Sequence, residues 1–208
     1  MIHASRAPNR FREELLRFGE QPRDAHGRFA KGSGASAGKG GKVAKGYQPP
    51  SVEDQDKTAE SLKGFLTMVA TLQPPRQGMT SPQQLMLDHG QTFHATPRTQ
   101  DGPKDPAHEC YANAGRRALL GQGTYVEGYI SVQGVPIEHA WLVDKQGRVK
   151  DPTIRGNDVD TYFGIPITND YLRSTVMKTK VWGVLGGMYN RDLYESPVPS
   201  NFKAKVGD

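Results

Sequence analysis

Cysteine is almost missing from this chain: among 208 residues only Cys110 carries a thiol. A single cysteine excludes an intramolecular disulfide framework and fits a reducing compartment. Long apolar runs are missing too. No stretch approaches the length needed to span a bilayer, and the amino-terminal "MIHASRAPNRFREELLRFGEQ" has no continuous apolar core of the kind a secretory signal requires. The expectation is a soluble protein that no signal peptide exports. No glycine-rich phosphate loop follows a strand pattern, so the many glycines do not form a P-loop. Hydrophobic residues are only 35% of the chain, against 24 Gly and 15 Pro, so a sizeable part is expected to stay unpacked. No internal repeat is visible.

The basic charge has a place. Residues 1–48 hold ten Lys and Arg against four acids, which leaves the tail at +6 and the remainder at −1. The rest of the chain therefore has no net attraction for phosphates. Within the tail, "AKGSGASAGKGGKVAKG" is a Gly/Ser/Lys linker too poor in apolar surface to fold, and no aromatic is interleaved among its lysines. It reads as a solubilising spacer, with weak contact to a polyanion or a capsid as the sharper alternative. "NRFREELLRFG" places Phe11, Leu15 and Phe18 near helical spacing, either a docking peptide or a frayed turn. The division is a largely disordered basic tail over 1–46 and a folded domain over 47–208.

The folded part opens with helical patterns. In "SVEDQDKTAESLKGFLTMVATLQPP", Ser51 is the expected cap, Pro74 the stop, and Leu62, Phe65, Leu66, Val69 and Leu72 the apolar face. "SPQQLMLDHG" is a shorter helix with Ser81 as N-cap, Pro82 at the first position and Gly90 past the end. A long loop punctuated by Pro97, Gly102, Pro103 and Pro106 then leads to Cys110, which stands at the head of a helix-forming run. Beyond it the period changes to two. "TYVEGYISV" alternates, "QGVP" turns the chain, and "IEHAWLVD" puts Ile137, His139, Trp141 and Val143 on one face. "DKQGR" is a hairpin turn with a positive φ expected at Gly147, and "VKDPTI" is the returning strand, ended by Pro152. "TYFGIPITNDYLRSTVMKTK" reads as a buried aromatic turn at Tyr162 and Phe163, then a short helix capped near Thr168 or Asn169. "VWGVLGGMYN" is a bulged strand or a loop closing over the site, with Trp182 in the core. The fold class is α+β, helices packed on an antiparallel sheet.

That arrangement gives the lone thiol partners. If Asp144 pairs with Arg148, His139 and Asp151 share a face one diagonal step apart, within side-chain reach. Asp151 can then accept from one imidazole nitrogen while the other faces Cys110, fixing the tautomer and stabilising the imidazolium. At a helix N-terminus the thiolate of Cys110 is favoured, and the N–H groups there are candidate oxyanion donors. Cys110, His139 and Asp151 make a complete nucleophilic set.

"ECYANA", "YVEGY", "EHAWLVD", "VKDPT" and "YFGIPI" together resemble the core motifs of small phage and bacterial members of the papain-like and transglutaminase-like cysteine hydrolase superfamily, over roughly residues 85–170. The resemblance implies that Cys110 is the nucleophile, His139 the base and Asp151 the orienting acid. It also implies cleavage or transfer of an amide bond in a polypeptide or peptidoglycan-peptide substrate, with no cofactor. "QPRDAHGRFAKGSG" is similar to a segment of tailed-phage head and portal-associated proteins, which points to a bacterial cytoplasm or a virion. A competing expectation is a non-enzymatic, virion-associated structural or interaction protein that docks through its basic tail. The sequence departs from the papain pattern before the cysteine, where "GPKDPAHE" lacks the oxyanion-hole glutamine. Gln100 and Gln91 are the nearest upstream, and the oxyanion hole stays unassigned.

The same residue types also serve other chemistries. His89, His94, His108, Cys110 and His139 are ligand types for zinc, but their spacing fits no knuckle, HExxH helix or deaminase pattern. His108 is a rival base, set second because triad partners come from separate elements. Glu127 and Glu138 are expected on a solvated strand face. A buried filler cysteine, a satisfied core histidine and a turn-forming aspartate are the plain alternatives for Cys110, His139 and Asp151.

Overall fold

The computed structural model describes residues 50–72, 79–95, 105–106, 108–154, 159–186, 190–195 and 197–206. The tail and linker expectations, Pro74, Pro97 and Gln100 lie outside the described residues. Within them the chain is α+β. Four α-helices, α1 (Val52–Leu72), α2 (Pro82–His89), α3 (Cys110–Leu119) and α4 (Asn169–Thr179), accompany strands β1 (Gln91–Phe93), β2 (Thr124–Val132), β3 (Val135–Val143), β4 (Val149–Lys150) and β5 (Thr161–Ile167). The strands form one antiparallel sheet in the order β1-β5-β2-β3-β4. No described helix is long and apolar enough to cross a membrane.

Local chemistry sets the element ends. Ser51 accepts from the Asp54 N–H at 3.1 Å and Ser81 from the Gln84 N–H at 3.0 Å, each filling an orphan donor of a first turn. Thr168 does the same for Tyr171 at the start of α4. Gln133 and Gly134 both have positive φ, 51° and 78°, which matches the twist of a two-residue hairpin joining β2 to β3. Gly147, with φ 74°, turns β3 into β4.

Two expectations change, and of a third the strand alternative drops out. The buried side of α1 is Gln55, Ala59, Leu62 and Leu66, whereas Phe65 and Leu72 are exposed. The stripe is rotated because Gln55 exchanges hydrogen bonds with the backbone of Ala95, donating at 3.2 Å and accepting at 2.7 Å. Residues 161–167 are a strand, not an aromatic turn: β5 lies between β1 and β2, and all seven of its residues are buried, so both of its faces are covered. The described part of "VWGVLGG", residues 181–186, is neither helix nor strand.

The core that seats the site lies on one face of the sheet. Val126, Ile130, Trp141, Val143 and Tyr162 share that face by register and cluster with Phe93, Ala95, Val149 and Val159. Helix α3 packs on β3 and β2 and buries the small residues Ala112, Ala114, Gly115 and Ala118. Gly115 is demanded by space: a Cβ there would lie 2.6 Å from the Trp182 ring.

Candidate active site

Each of the three residues comes from a different element. Cys110 is the first residue of α3 and half-buried. His139 lies in the middle of β3, opposite Gly128 of β2. Asp151 follows β4 directly. The register that brings the last two together is the one expected: Val143 pairs with Val149, Leu142 with Lys150, and the Asp144 N–H donates to the Arg148 carbonyl at 3.0 Å. Continuing it places Asp151 opposite Trp141, one diagonal step from His139.

The contact is made. The His139 Nε2–H donates to Asp151 Oδ2 at 2.8 Å, with the two side chains 3% and 0% exposed. Nε2 is therefore committed to the carboxylate, and Nδ1 is the nitrogen left for the thiol. Cys110 is near enough to the imidazole to help hold a proton on it. Burial by itself would lower the His139 pKa. The Asp151 charge and hydrogen bond outweigh burial, Cys110 adds to them, and the group is pushed up to about 9. Burial likewise works to raise Asp151, yet the His139 charge and bond, with the Ile154 and Thr153 N–H groups, hold it below the usual carboxylate range. The two shifts have opposite signs, as an imidazolium–carboxylate pair requires.

Asp151 uses both oxygens. Oδ1 accepts the N–H groups of Thr153 at 2.8 Å and Ile154 at 2.9 Å, and Oδ2 accepts the Tyr162 hydroxyl at 3.1 Å beside the imidazole. The turn-forming role and the imidazole-orienting geometry therefore coexist in one side chain. The Trp141 indole is stacked on His139, and its other neighbours are Phe93 and Tyr162. Sequence reasoning missed Tyr162 and the seat of Trp141. The signal was the pair Gly128 and Gly164: they face each other across β2 and β5, and a Cβ on Gly164 would meet the Trp141 ring at 2.6 Å.

Several expected features are corrected. Glu127 is not solvated. It is 4% exposed and accepts from the N–H groups of Val184 at 2.6 Å and Leu185 at 2.9 Å and from the Tyr125 hydroxyl at 2.9 Å. Burial drives its pKa up against those bonds, with the Glu138 charge adding, to about 7. Alternation along β2 misassigned it because Tyr125 and the segment at Val184 and Leu185 close over that side chain. Glu138, one strand over, is exposed and accepts from the Tyr129 hydroxyl at 3.2 Å. Gln91 shares a cross-sheet row with Gly164, Gly128 and His139 but sits on the far edge strand. Three strand spacings, on the order of 14 Å, keep it from serving beside His139. His108 is exposed with φ 66°, and His94 bonds Asp56 at 2.8 Å. Among the described residues no group of three or more His, Cys, Asp or Glu is gathered as a metal site.

No family model, no curated protein and no solved structure matches the chain.

Proposed function

We propose that the protein is a thiol hydrolase or acyl transferase acting on an amide bond, with Cys110 as nucleophile, His139 as base and Asp151 as orienting acid. The observation that carries the proposal is the buried Nε2–H···Oδ2 bond of 2.8 Å, which leaves the second imidazole nitrogen outside that bond, with the only thiol near enough to favour the imidazolium. An imidazole whose basicity is raised by a buried carboxylate takes the thiol proton readily. The resulting sulfur anion attacks a carbonyl carbon, and the imidazolium returns its proton to the leaving nitrogen. Water or an amine then releases the acyl group. Glu109 caps no donor of α3 with its side chain, and the N–H groups of Cys110, Tyr111 and Ala112 have no intrahelical acceptor. They are the oxyanion donors nearest the sulfur, and they stand in for the missing glutamine.

The helix-borne thiol, the strand-borne His and the Asp directly after the next strand support kinship with papain-like and transglutaminase-like enzymes. A peptide or peptidoglycan peptide is the proposed substrate, and a phage or its bacterial host the proposed setting. The test is selective alkylation. At pH 6.5 iodoacetamide should modify Cys110 faster than a model peptide thiol of pKa about 8.5. His139→Ala should abolish the advantage. A slow thiol indifferent to His139 would overturn the proposal.

A further inference from the structure

We propose that Asn113 is a positioning residue of this site, clamping the Cys110 end of α3 to the turn that carries Asp151. The inference rests on the Cys110–His139–Asp151 proposal and adds to it the element that sets the distance between its first and last members.

Asn113 lies one helical turn after Cys110 and is 1% exposed. Its Nδ2 donates twice: to the Pro106 carbonyl at 2.8 Å, in the segment before the nucleophile, and to Thr153 Oγ1 at 3.1 Å, in the turn after β4. The orientation of the amide follows, because the Pro106 carbonyl can only accept. Thr153 is also the residue whose N–H holds Asp151 Oδ1 at 2.8 Å. One buried side chain thus ties three segments: the approach to the thiol, the helix that begins with it, and the turn that holds the acid. A second seam runs beside it. The Asp105 N–H donates to the Pro152 carbonyl at 2.8 Å, while Arg117 grips the Asp105 carboxylate with Nε at 2.7 Å and Nη2 at 3.0 Å.

Stability alone is a poor reason for an asparagine here. It is a weak helix former, and alanine at the same place would improve the helix by up to about half a kcal/mol. Its Oδ1 is buried with no hydrogen-bond partner among the described residues, a desolvation cost that an apolar side chain would avoid. What the amide supplies is directional. Its two donors reach the segments on either side of the site, and thiol chemistry is sensitive to sub-ångström placement of sulfur against imidazole.

The test is the rate of iodoacetamide alkylation of Cys110 in the full chain, measured from pH 5 to 9. Asn113→Ala should lower the rate at pH 6.5 by about tenfold and flatten the His139-dependent limb of the profile, with far-UV circular dichroism unchanged. Thr153→Val removes one of the two acceptors and should give a smaller loss, which Thr153→Ser recovers in large part because it restores the hydroxyl. In a His139→Ala background, Asn113→Ala should do nothing further. An unchanged profile in Asn113→Ala, or an equal loss with and without His139, overturns the inference. Should Asn113→Ala fail to fold, the Thr153→Val and Thr153→Ser pair decides: equal rates in the two overturn it. If His139→Ala itself leaves the rate untouched, it is the triad proposal that fails, and the outcomes are distinct.

Discussion

The Trp141 indole and the His139 imidazole lie 13° from parallel with their centroids 6.2 Å apart, two residues apart on the same strand. The indole is wholly buried, and its far edge rests over Gly164, where no side chain intervenes. A bulky ring wedged this way restricts rotation of the imidazole about its side-chain bonds, so His139 is held both by its bond to Asp151 and by packing.

That packing predicts a sharp response at Gly164. In Gly164→Ala the new methyl would fall 2.6 Å from the indole and 2.8 Å from the Glu127 carbonyl, and the backbone cannot yield cheaply. The expected loss is about 1–3 kcal/mol of folding free energy, read by urea denaturation. The Cys110 alkylation rate should fall further than in an equally destabilised surface variant. Full retention of both would show that the indole does not position the ring.

Asp151 predicts a mixed phenotype. At least four donors converge on its two oxygens, the described ones being His139, Thr153, Ile154 and Tyr162. Asparagine has one acceptor oxygen, so Asp151→Asn must leave either the turn or the imidazole and tyrosine pair facing an NH2 group. The cost should be about 1–3 kcal/mol, together with lower thiol reactivity. Asp151→Ala should be worse on both counts, and Tyr162→Phe milder than either. A variant that lost stability and kept the reactivity of the wild type would leave Asp151 as a turn former alone.

Glu127 and His139 together predict how stability depends on pH. The Glu127 pKa is raised from 4.5 to about 7 on folding, so its protonation favours the folded state fully below about pH 4.5 and ceases to do so as pH rises through 7. His139, raised from 6.5 to about 9, contributes fully below 6.5 and loses that contribution as pH rises through 9. Unfolding free energy should therefore fall across both windows, with a limiting slope of about 1.4 kcal/mol per pH unit for one proton. Glu127→Gln should remove the lower window and keep the upper one. Denaturation curves at half-unit intervals check this; parallel profiles for the two proteins would contradict it.

Gly115 predicts an inverted helix-propensity effect. Exchanging Gly for Ala inside a helix usually gains about 1 kcal/mol. Here the methyl would meet the buried Trp182 ring at 2.6 Å and 2.7 Å, so Gly115→Ala should destabilise instead. Shrinking the ring in Gly115→Ala/Trp182→Leu should recover part of the loss, a non-additivity that a double-mutant cycle measures.

Much of the site's geometry was legible in the sequence because it depends on local rules. Gly147 fixes the β3–β4 turn, the turn fixes the register, and the register puts His139 and Asp151 on one face. Burial was less legible. The alternation of β2 separates two faces but cannot say that both are covered, which is why Glu127 was expected in water. The helical period of α1 gave an apolar stripe, and a single polar residue, Gln55, rotated it by bonding a distant backbone. The Asn113 clamp and the Tyr162 bond to Asp151 were the least legible, because each joins segments that the local pattern does not bring together.

The strand order also separates the parts of the molecule in time. The thiol, the imidazole and the carboxylate all fall between residues 110 and 151, within one helix and a run of adjacent hairpins, where loop-closure entropy is small. β5 comes later in the chain and must enter the sheet between β1 and β2, carrying Tyr162 and Gly164 with it. The constellation can thus assemble from local contacts, but its tightening waits on the slowest long-range pairing. In a nascent chain, the His139 and Asp151 segments would therefore leave the ribosome before the Tyr162 hydroxyl and the Gly164 seat that complete their surroundings.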